Sequence, residues 1–155
     1  LVDPLILPSF TSTECYREMF RNCSSLTTMP DLPDTTVAAR CYWNMFRLCT
    51  GLTTACDVLP AETLAEDCYR ELFRQCSSLQ SAPRLPAPTL AERCYRQMFA
   101  ACTSLLSVTC LATDISAPNC TYQWMSGTKN NSACKFYKAS TMGVSVSGGW
   151  TRGDA

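Results

Sequence analysis

Cysteine is the residue type in this chain with the widest range of chemistry, and 12 of the 155 residues are cysteines. Thiols form disulfides, bind zinc or act as nucleophiles, and each use has its own spacing and partners. No two of these cysteines form a Cys-x-x-Cys motif, and the chain contains no histidine. Zinc sites and Ser-His or Cys-His nucleophile pairs are therefore disfavoured. We predict no catalytic residues, no metal, no cofactor and no enzymatic activity.

Arginine is the second residue type whose spacing could do chemistry, in this case the binding of anions. Several arginines recur at matching positions and would form a stripe suited to sulfated or phosphorylated glycans. They are Arg17, Arg21, Arg47, Arg70, Arg74 and Arg96. The alternative is a solvated surface on which Glu18 and Glu71 neutralise them. Across the whole chain 13 basic and 13 acidic residues cancel, which argues against a nucleic acid partner.

All six arginines and eight of the 12 cysteines belong to a segment that occurs four times. It follows the formula Cys-Tyr-x-x-(Met/Leu)-Phe-x-x-Cys-(Ser/Thr)-x-Leu and begins at Cys15, Cys41, Cys68 and Cys94, with a partial copy at Cys120. The starts lie 26 or 27 residues apart, a period typical of stacked solenoid repeats. We predict one domain over 1–155, with a partial N-terminal unit at 1–14, four repeats at 15–119 and a C-terminal cap at 120–155.

Each repeat shows helical spacing first and extended spacing second. In the second copy, apolar residues recur every three or four positions over 37–46, which predicts a helix that ends near Arg47. Leu52-Thr53-Thr54 and its counterparts predict short strands, which prolines such as Pro60 then end. The predicted fold class is α/β, a solenoid with a parallel strand ladder on one face, short helices on the other, and a divergent C-terminal cap.

The predicted helices decide how the repeat cysteines are interpreted. Helices in adjacent repeats pack about 8–10 Å apart, beyond the Cα separation of about 7 Å that a disulfide can bridge. Buried free thiols are therefore favoured over disulfides along the stack, although export would favour disulfides. Cys110, Cys120 and Cys134, in the irregular cap, are the better candidates for bridges.

The residues that precede each Cys-Tyr pair alternate in charge. They are Glu14, Arg40, Asp67 and Arg93. In a stack these side chains would face one another, so we predict a ladder of ion pairs that helps to set the register and contributes a modest stability.

A shorter pattern, Phe-x-x-Cys-x-x-Leu, recurs within the repeats and is the basis of a family resemblance. It stands at Phe20-Cys23-Leu26, Phe46-Cys49-Leu52, Phe73-Cys76-Leu79 and Phe99-Cys102-Leu105. In this the chain resembles the leucine-rich repeats of BspA-like surface proteins from anaerobic gut bacteria and their phages. The resemblance implies a leucine-rich-repeat solenoid that is exported, lies at a cell or virion surface, and binds rather than catalyses. It supplies no catalytic residues to carry over.

Variation between the repeats falls at positions expected on the surface, whereas the core leucines do not vary. The varying positions are Thr27, Thr53, Gln80 and Leu106, followed by Asp31, Asp57 and Arg84. We therefore predict a non-enzymatic extracellular module for recognition or adhesion, which binds a host or cell-surface protein or glycan through this face.

A structural role is the alternative. The N-terminal segment is rich in apolar residues, Leu5 and Ile6 among them, and an exposed apolar end could stack on a second copy in a surface fibre or phage appendage. No apolar run approaches the roughly 20 residues that span a bilayer, so no direct membrane insertion is expected. Leu1 is not methionine, as expected of a processed chain or an excised piece. Arg152-Gly153-Asp154 matches an integrin-binding tripeptide, a match that often arises by chance.

Overall fold

The computed structural model describes residues 5–9, 12–128 and 135–141, together with the backbone of 151–154. These residues contain no helix and three short strands: β1 (Ser107–Cys110), β2 (Lys135–Lys138) and β3 (Thr151–Asp154). The strands form one parallel sheet in the order β1-β2-β3. The tripeptide Arg152-Gly153-Asp154 lies in β3, where it pairs with 136–138 of β2. Cys134 and much of the predicted cap lie outside the described residues.

The segments predicted as helices are runs of tight turns, so the prediction of an α/β solenoid with helices on one face is wrong. Every fourth residue of each run has a positive φ, between 50° and 65° for all but the glycine. In the first run these residues are Glu14, Glu18 and Asn22. A left-handed residue every four positions is incompatible with an α-helix. We call these runs, one per repeat, the turn ladder.

Hydrogen bonds of two kinds alternate along the turn ladder. One N–H donates to the carbonyl three residues earlier, as Met45 does to Tyr42 at 3.3 Å. The next N–H donates to the following repeat, as Phe46 does to Leu72 at 3.0 Å. Half of the backbone donors that a helix would use internally therefore join one repeat to the next. Each repeat is one rung of a stack.

The distances between stacked aromatic rings show how far apart consecutive rungs lie. The tyrosine rings of consecutive rungs stack with centroids 5.4, 5.4 and 6.3 Å apart, and the phenylalanine rings do so at 5.5, 5.7 and 5.7 Å. Hydrogen-bonded strands lie about 4.8 Å apart, whereas packed helices lie about 8–10 Å apart. Consecutive rungs are therefore too close together for each of them to contain an α-helix.

The opposite side of the stack carries less regular strand than predicted. In the earlier rungs the ladder consists of isolated parallel bridges, such as Thr28 with Thr54 and Thr54 with Ser81. Only at β1 does the pairing extend to four residues, because β2 and then β3 continue it. Prolines at most repeats remove backbone donors on either side of the bridges, which keeps each strand short.

The core lies between the turn ladder and the bridges. Leu52, Leu79 and Leu105 are fully buried there, beside the columns of tyrosine and phenylalanine. Trp124 stacks under Tyr95 at 6.4 Å, and its other neighbour, Phe136 of β2, meets it edge-on at 5.3 Å. These two rings cover the last complete rung. Among the described residues no helix could cross a membrane.

Candidate functional site

One column of exposed side chains follows the buried leucines up the stack. Its members are Thr27, Thr53, Gln80 and Leu106, and all four are exposed. The Thr53 backbone N–H donates to the Thr27 carbonyl at 3.0 Å, and the Leu106 N–H donates to the Gln80 carbonyl at 2.9 Å. Each of these residues comes directly after an inward-facing leucine, and alternation along an extended backbone turns it outward.

A second exposed column stands a few residues further along each rung. Asp31, Asp57 and Arg84 are all exposed, and a buried leucine follows directly after Asp31 and Arg84 and two residues after Asp57. The Arg84 N–H donates to the Asp57 carbonyl at 2.8 Å. No salt bridge between described residues engages these three side chains. Their charges are therefore available to a ligand.

A column of hydroxyl groups lies beside the first column and was not predicted as part of the site. Thr28, Thr54 and Ser81 are exposed, Ser107 is partly exposed, and parallel bridges connect all four in turn. The signal was present in the sequence, because a hydroxyl residue stands at this position in every repeat. Each hydroxyl can both donate and accept a hydrogen bond. We call these three columns together the variable face.

Cys56 lies near the second column and is not poised for chemistry. Burial, followed by the charge of Asp31, raises the pKa of the Cys56 thiol to about 11. A thiol with that pKa is protonated at neutral pH and is a poor nucleophile. Within the described part of the chain no group of three or more cysteine, aspartate or glutamate side chains could hold a metal ion. The chemistry of the face is that of hydrogen bonds and charge.

The six arginines of the predicted basic stripe lie on the turn ladder, where acidic groups of the described residues pair with five of them, all but Arg96. Arg17 and Arg21 pair with glutamates three residues earlier, each at 3.1 Å. The buried Glu71 carboxylate is shared by Arg47 at 3.3 Å, Arg70 at 3.4 Å and Arg74 at 2.8 Å. The alternative, in which interspersed glutamates neutralise the stripe, agrees better with these contacts.

Aromatic rings also occupy part of this stripe. The Trp43 ring lies between two guanidinium groups, with Arg17 at 4.2 Å and Arg70 at 4.7 Å from its centroid. In the rung after Arg70, Arg96 lies 5.3 Å from the centroid of the Tyr122 ring. These cation–π contacts join side chains of consecutive rungs. The arginines therefore contribute to the stack itself.

The predicted ladder of ion pairs is confirmed. Arg40 lies 3.7 Å from Glu14 and 3.9 Å from Asp67, and Arg93 lies 3.2 Å from Asp67. Asp67 is buried between the two arginines. Because each ion pair joins neighbouring rungs, a shift in register would separate the partners.

The N-terminal end of the stack has an apolar groove. The Leu5 and Ile6 side chains are 53% and 81% exposed, whereas Leu7 is buried. They border a groove of about 700 Å³ that is also lined by Leu26, Thr28, Met29, Pro30, Asp31 and Pro33. The Tyr16 hydroxyl donates to the Pro8 carbonyl, and the Ser9 hydroxyl donates to Asp34, which together hold this segment in place. Thr28 and Asp31 connect the groove with the variable face.

Comparison with protein-family models, with curated proteins and with solved structures finds no match for this chain.

Proposed function

We propose that this chain is a non-enzymatic extracellular recognition module, which binds a host or cell-surface protein or glycan through the variable face. The observation that supports the proposal is the alignment of seven side chains, of five residue types, in two exposed columns on one side of the stack. The seven are Thr27, Thr53, Gln80, Leu106, Asp31, Asp57 and Arg84.

Rigidity of the support favours binding. Hydrogen bonds to the neighbouring rung hold the backbone beneath each column, and Leu52, Leu79 and Leu105, which directly precede members of the first column, are fully buried. A ligand therefore meets side chains whose backbone is already ordered, which lowers the entropic cost of association. The hydroxyls of Thr28, Thr54 and Ser81 add donors and acceptors beside the charged residues.

The location and kinship of the protein are part of the same proposal. The high cysteine content supports export to an oxidising compartment. The recurring Phe-x-x-Cys-x-x-Leu pattern supports a relationship with BspA-like surface proteins. Neither point depends on a helix in the repeat.

The test is binding to an array of glycans and host-cell surface proteins. The triple variant Thr53→Ala/Gln80→Ala/Leu106→Ala should lose at least about tenfold in affinity for whichever ligand the natural chain retains. The control is Thr50→Ala/Thr103→Ala, which removes exposed hydroxyls from the same rungs outside the variable face. Full affinity in the triple variant, or equal loss in the control, would contradict the proposal.

The second candidate is a structural subunit that assembles end to end, and the direction of the backbone hydrogen bonds favours it. Along the turn ladder the N–H of each rung donates to the carbonyl of the following rung, as Phe20 does to Met45 at 2.9 Å. Among the described residues no earlier rung donates to the Arg17 carbonyl, and no later rung accepts from the Gln123 N–H. On the turn ladder, the described part of the first rung therefore offers acceptors and that of the last rung offers donors.

Complementary ends of this kind make a heterologous contact, which leads to an open fibre rather than a closed dimer. Leu5→Asp/Ile6→Asp should then abolish concentration-dependent oligomers measured by light scattering. Val58→Asp is the matched control, because Val58 is also an exposed apolar residue (43%) but lies away from the groove. Oligomers that persist in the double variant, or that are lost in the control, would exclude contact through the N-terminal end.

A further inference from the structure

Two columns of cysteines run through the stack, one at each end of the turn ladder. The first cysteine column contains Cys15, Cys41, Cys68, Cys94 and Cys120, and the second contains Cys23, Cys49, Cys76 and Cys102. Cys15 and Cys41 already form a disulfide between consecutive rungs, with Cα atoms 5.0 Å apart. That separation is well within the range of disulfides. The expectation that rungs lie too far apart for bridging was therefore wrong.

In the second cysteine column a shared carbonyl joins each pair of neighbours. The Phe20 carbonyl accepts from the Cys23 N–H at 3.1 Å and from the Cys49 sulfur at 3.0 Å. The Phe46 carbonyl does the same for the Cys49 N–H at 3.1 Å and the Cys76 sulfur at 3.0 Å. Each sulfur thus points towards the preceding rung, close to where the previous cysteine begins.

The last pair of the second column repeats this arrangement. The Phe73 carbonyl accepts from the Cys76 N–H at 3.0 Å and from the Cys102 sulfur at 3.0 Å. In the first column the Tyr69 N–H donates to the Cys94 carbonyl at 3.1 Å, which places the Cys68 and Cys94 backbones side by side. Neighbouring free cysteines in both columns therefore stand at equivalent positions of consecutive rungs, as Cys15 and Cys41 do.

We propose that the two columns form a disulfide ladder, in which Cys23–Cys49, Cys76–Cys102 and Cys68–Cys94 join the bridge between Cys15 and Cys41. The number of cysteines in each column and the order in which they stack decide which of them pair. The bridge at Cys15 uses the first two members of its column, so the next two pair and Cys120 is left over. The second column has four members, and pairing from the exposed end uses all of them.

The chemistry requires an oxidant of the small-molecule disulfide class. A thiolate attacks one sulfur of that oxidant and releases its other half as a thiolate, which leaves a mixed disulfide. The neighbouring cysteine then attacks the protein sulfur of the mixed disulfide and releases the second half. Two protein thiols become one disulfide, the oxidant becomes two thiols, and the two protons given up by the protein thiols are taken up by the released thiolates.

Access differs between the pairs. Cys23 is exposed, whereas Cys49, Cys76, Cys68 and Cys94 are buried. Burial also raises the pKa of the Cys49 thiol to about 11 and that of Cys68 to about 12, which makes thiolates scarce in the folded core. Cys23–Cys49 can therefore close in the folded chain, because Cys23 starts the exchange. The buried pairs close while the rungs are packing, when neighbouring cysteines are already in register but the oxidant can still reach them.

The test compares the full chain refolded with oxidised glutathione and with a reducing agent. Free thiols are alkylated in denaturant, and digestion with trypsin and then chymotrypsin separates Cys49 from Cys68 and Cys102 from Cys120. Mass spectrometry of the oxidised sample should find the three proposed links besides Cys15–Cys41. The oxidised chain should also melt about 5–10 °C higher per added bridge. Fully alkylated columns, or links between cysteines two rungs apart, would overturn the proposal.

A variant checks the order of pairing. Cys76→Ser should leave Cys102 as a free thiol and keep Cys23–Cys49 and Cys68–Cys94. Cys110→Ser is the control, because Cys110 belongs to neither column, and it should keep all three links. A Cys49–Cys102 link in the first variant would contradict pairing between neighbours. If Cys76→Ser does not fold, the disulfide links found in the natural chain after oxidising and reducing refolding still test the proposal.

Discussion

The ring of Tyr42 stacks on the ring of Tyr16 with centroids 5.4 Å apart and planes that differ by 1°. The two residues are equivalent positions of consecutive repeats, so this distance is the height of one rung. At that height the backbone can satisfy half of its donors between rungs, which is why the turn ladder replaces a helix.

Ala101 tests the left-handed residues of the turn ladder. Its φ is 59°, and the equivalent residue of the next rung is Gly127. Glycine relieves the strain of the left-handed conformation, and the greater backbone entropy that glycine loses on folding offsets part of this gain. Ala101→Gly should therefore stabilise the chain by about 0.5–1 kcal/mol. In a helix the same change would cost about 1 kcal/mol. Urea unfolding measures the difference, and Ala100→Gly, at a neighbouring buried position without a positive φ, should be destabilising.

Tyr69 and Tyr42 occupy equivalent positions but differ in their hydroxyl partners. The Tyr42 hydroxyl donates to Asp34 at 2.6 Å, whereas the buried Tyr69 hydroxyl has no hydrogen-bond partner among the described residues. Tyr42→Phe should cost about 1–3 kcal/mol, because it removes a hydrogen bond to a buried carboxylate. Tyr69→Phe should be neutral or stabilising. Thermal unfolding of the two variants under one condition decides, and equal losses would mean that Tyr69 has a partner.

Leu79 and Gln80 test the two sides of the extended segment. The Leu79 side chain is fully buried and that of Gln80 is exposed. Leu79→Ala should lower the free energy of unfolding by about 2–5 kcal/mol. Gln80→Ala should change it by less than about 0.5 kcal/mol. Equal shifts of the urea midpoint would contradict the assignment of these residues to the core and the variable face.

Gly51 tests how closely the first two full rungs approach each other. A Cβ atom added at Gly51 would lie 2.2 Å from the carbonyl oxygen of Ser24. Gly51→Ala should therefore destabilise the chain by about 1–3 kcal/mol, because backbone must move to relieve the clash. The other repeats carry serine at this position, so repeat comparison alone would predict no effect. Ser78→Ala is the control and should be tolerated.

Alkaline pH should unfold the reduced chain. Burial raises the pKa of the Cys49 thiol to about 11, of the Cys68 and Cys102 thiols to about 12, and of the Tyr69 phenol well above its usual value. In the unfolded chain these groups titrate near about 8.5 for cysteine and 10 for tyrosine. Below pH 8 both states keep their protons, so stability is fully present.

Above that pH the unfolded chain loses protons that the folded chain retains, and the free energy of unfolding falls. Each such group lowers it by about 1.4 kcal/mol per pH unit until its folded pKa is reached. The urea midpoint in reducing buffer should therefore be lower at pH 10 than at pH 7. Tyr69→Phe should show a shallower decline above pH 10. A midpoint that does not change would show that these groups are not protected in the folded state.

The repeat by itself determined which residues become neighbours. A period of 26 or 27 residues makes Leu52, Leu79 and Leu105 equivalent, and all three are buried. The same equivalence predicted the ion pairs through Asp67 and placed the seven variable positions in exposed columns. Stacking of equivalent residues requires only the period, so it could be predicted before any local conformation was known.

The local conformation of the turn ladder was decided by tertiary contacts. Buried residues at Cys41, Met45 and Cys49 recur every four positions, which fits an α-helix of 3.6 residues per turn over so short a segment. A run of four-residue turns produces the same pattern. The two conformations differ in the acceptors of alternate N–H groups. In the turn ladder those acceptors lie 25 or 26 residues away, in the next rung. Only the packed stack, with aromatic rings at 5.4 Å, supplies them and thereby brings the cysteine columns within reach of disulfides.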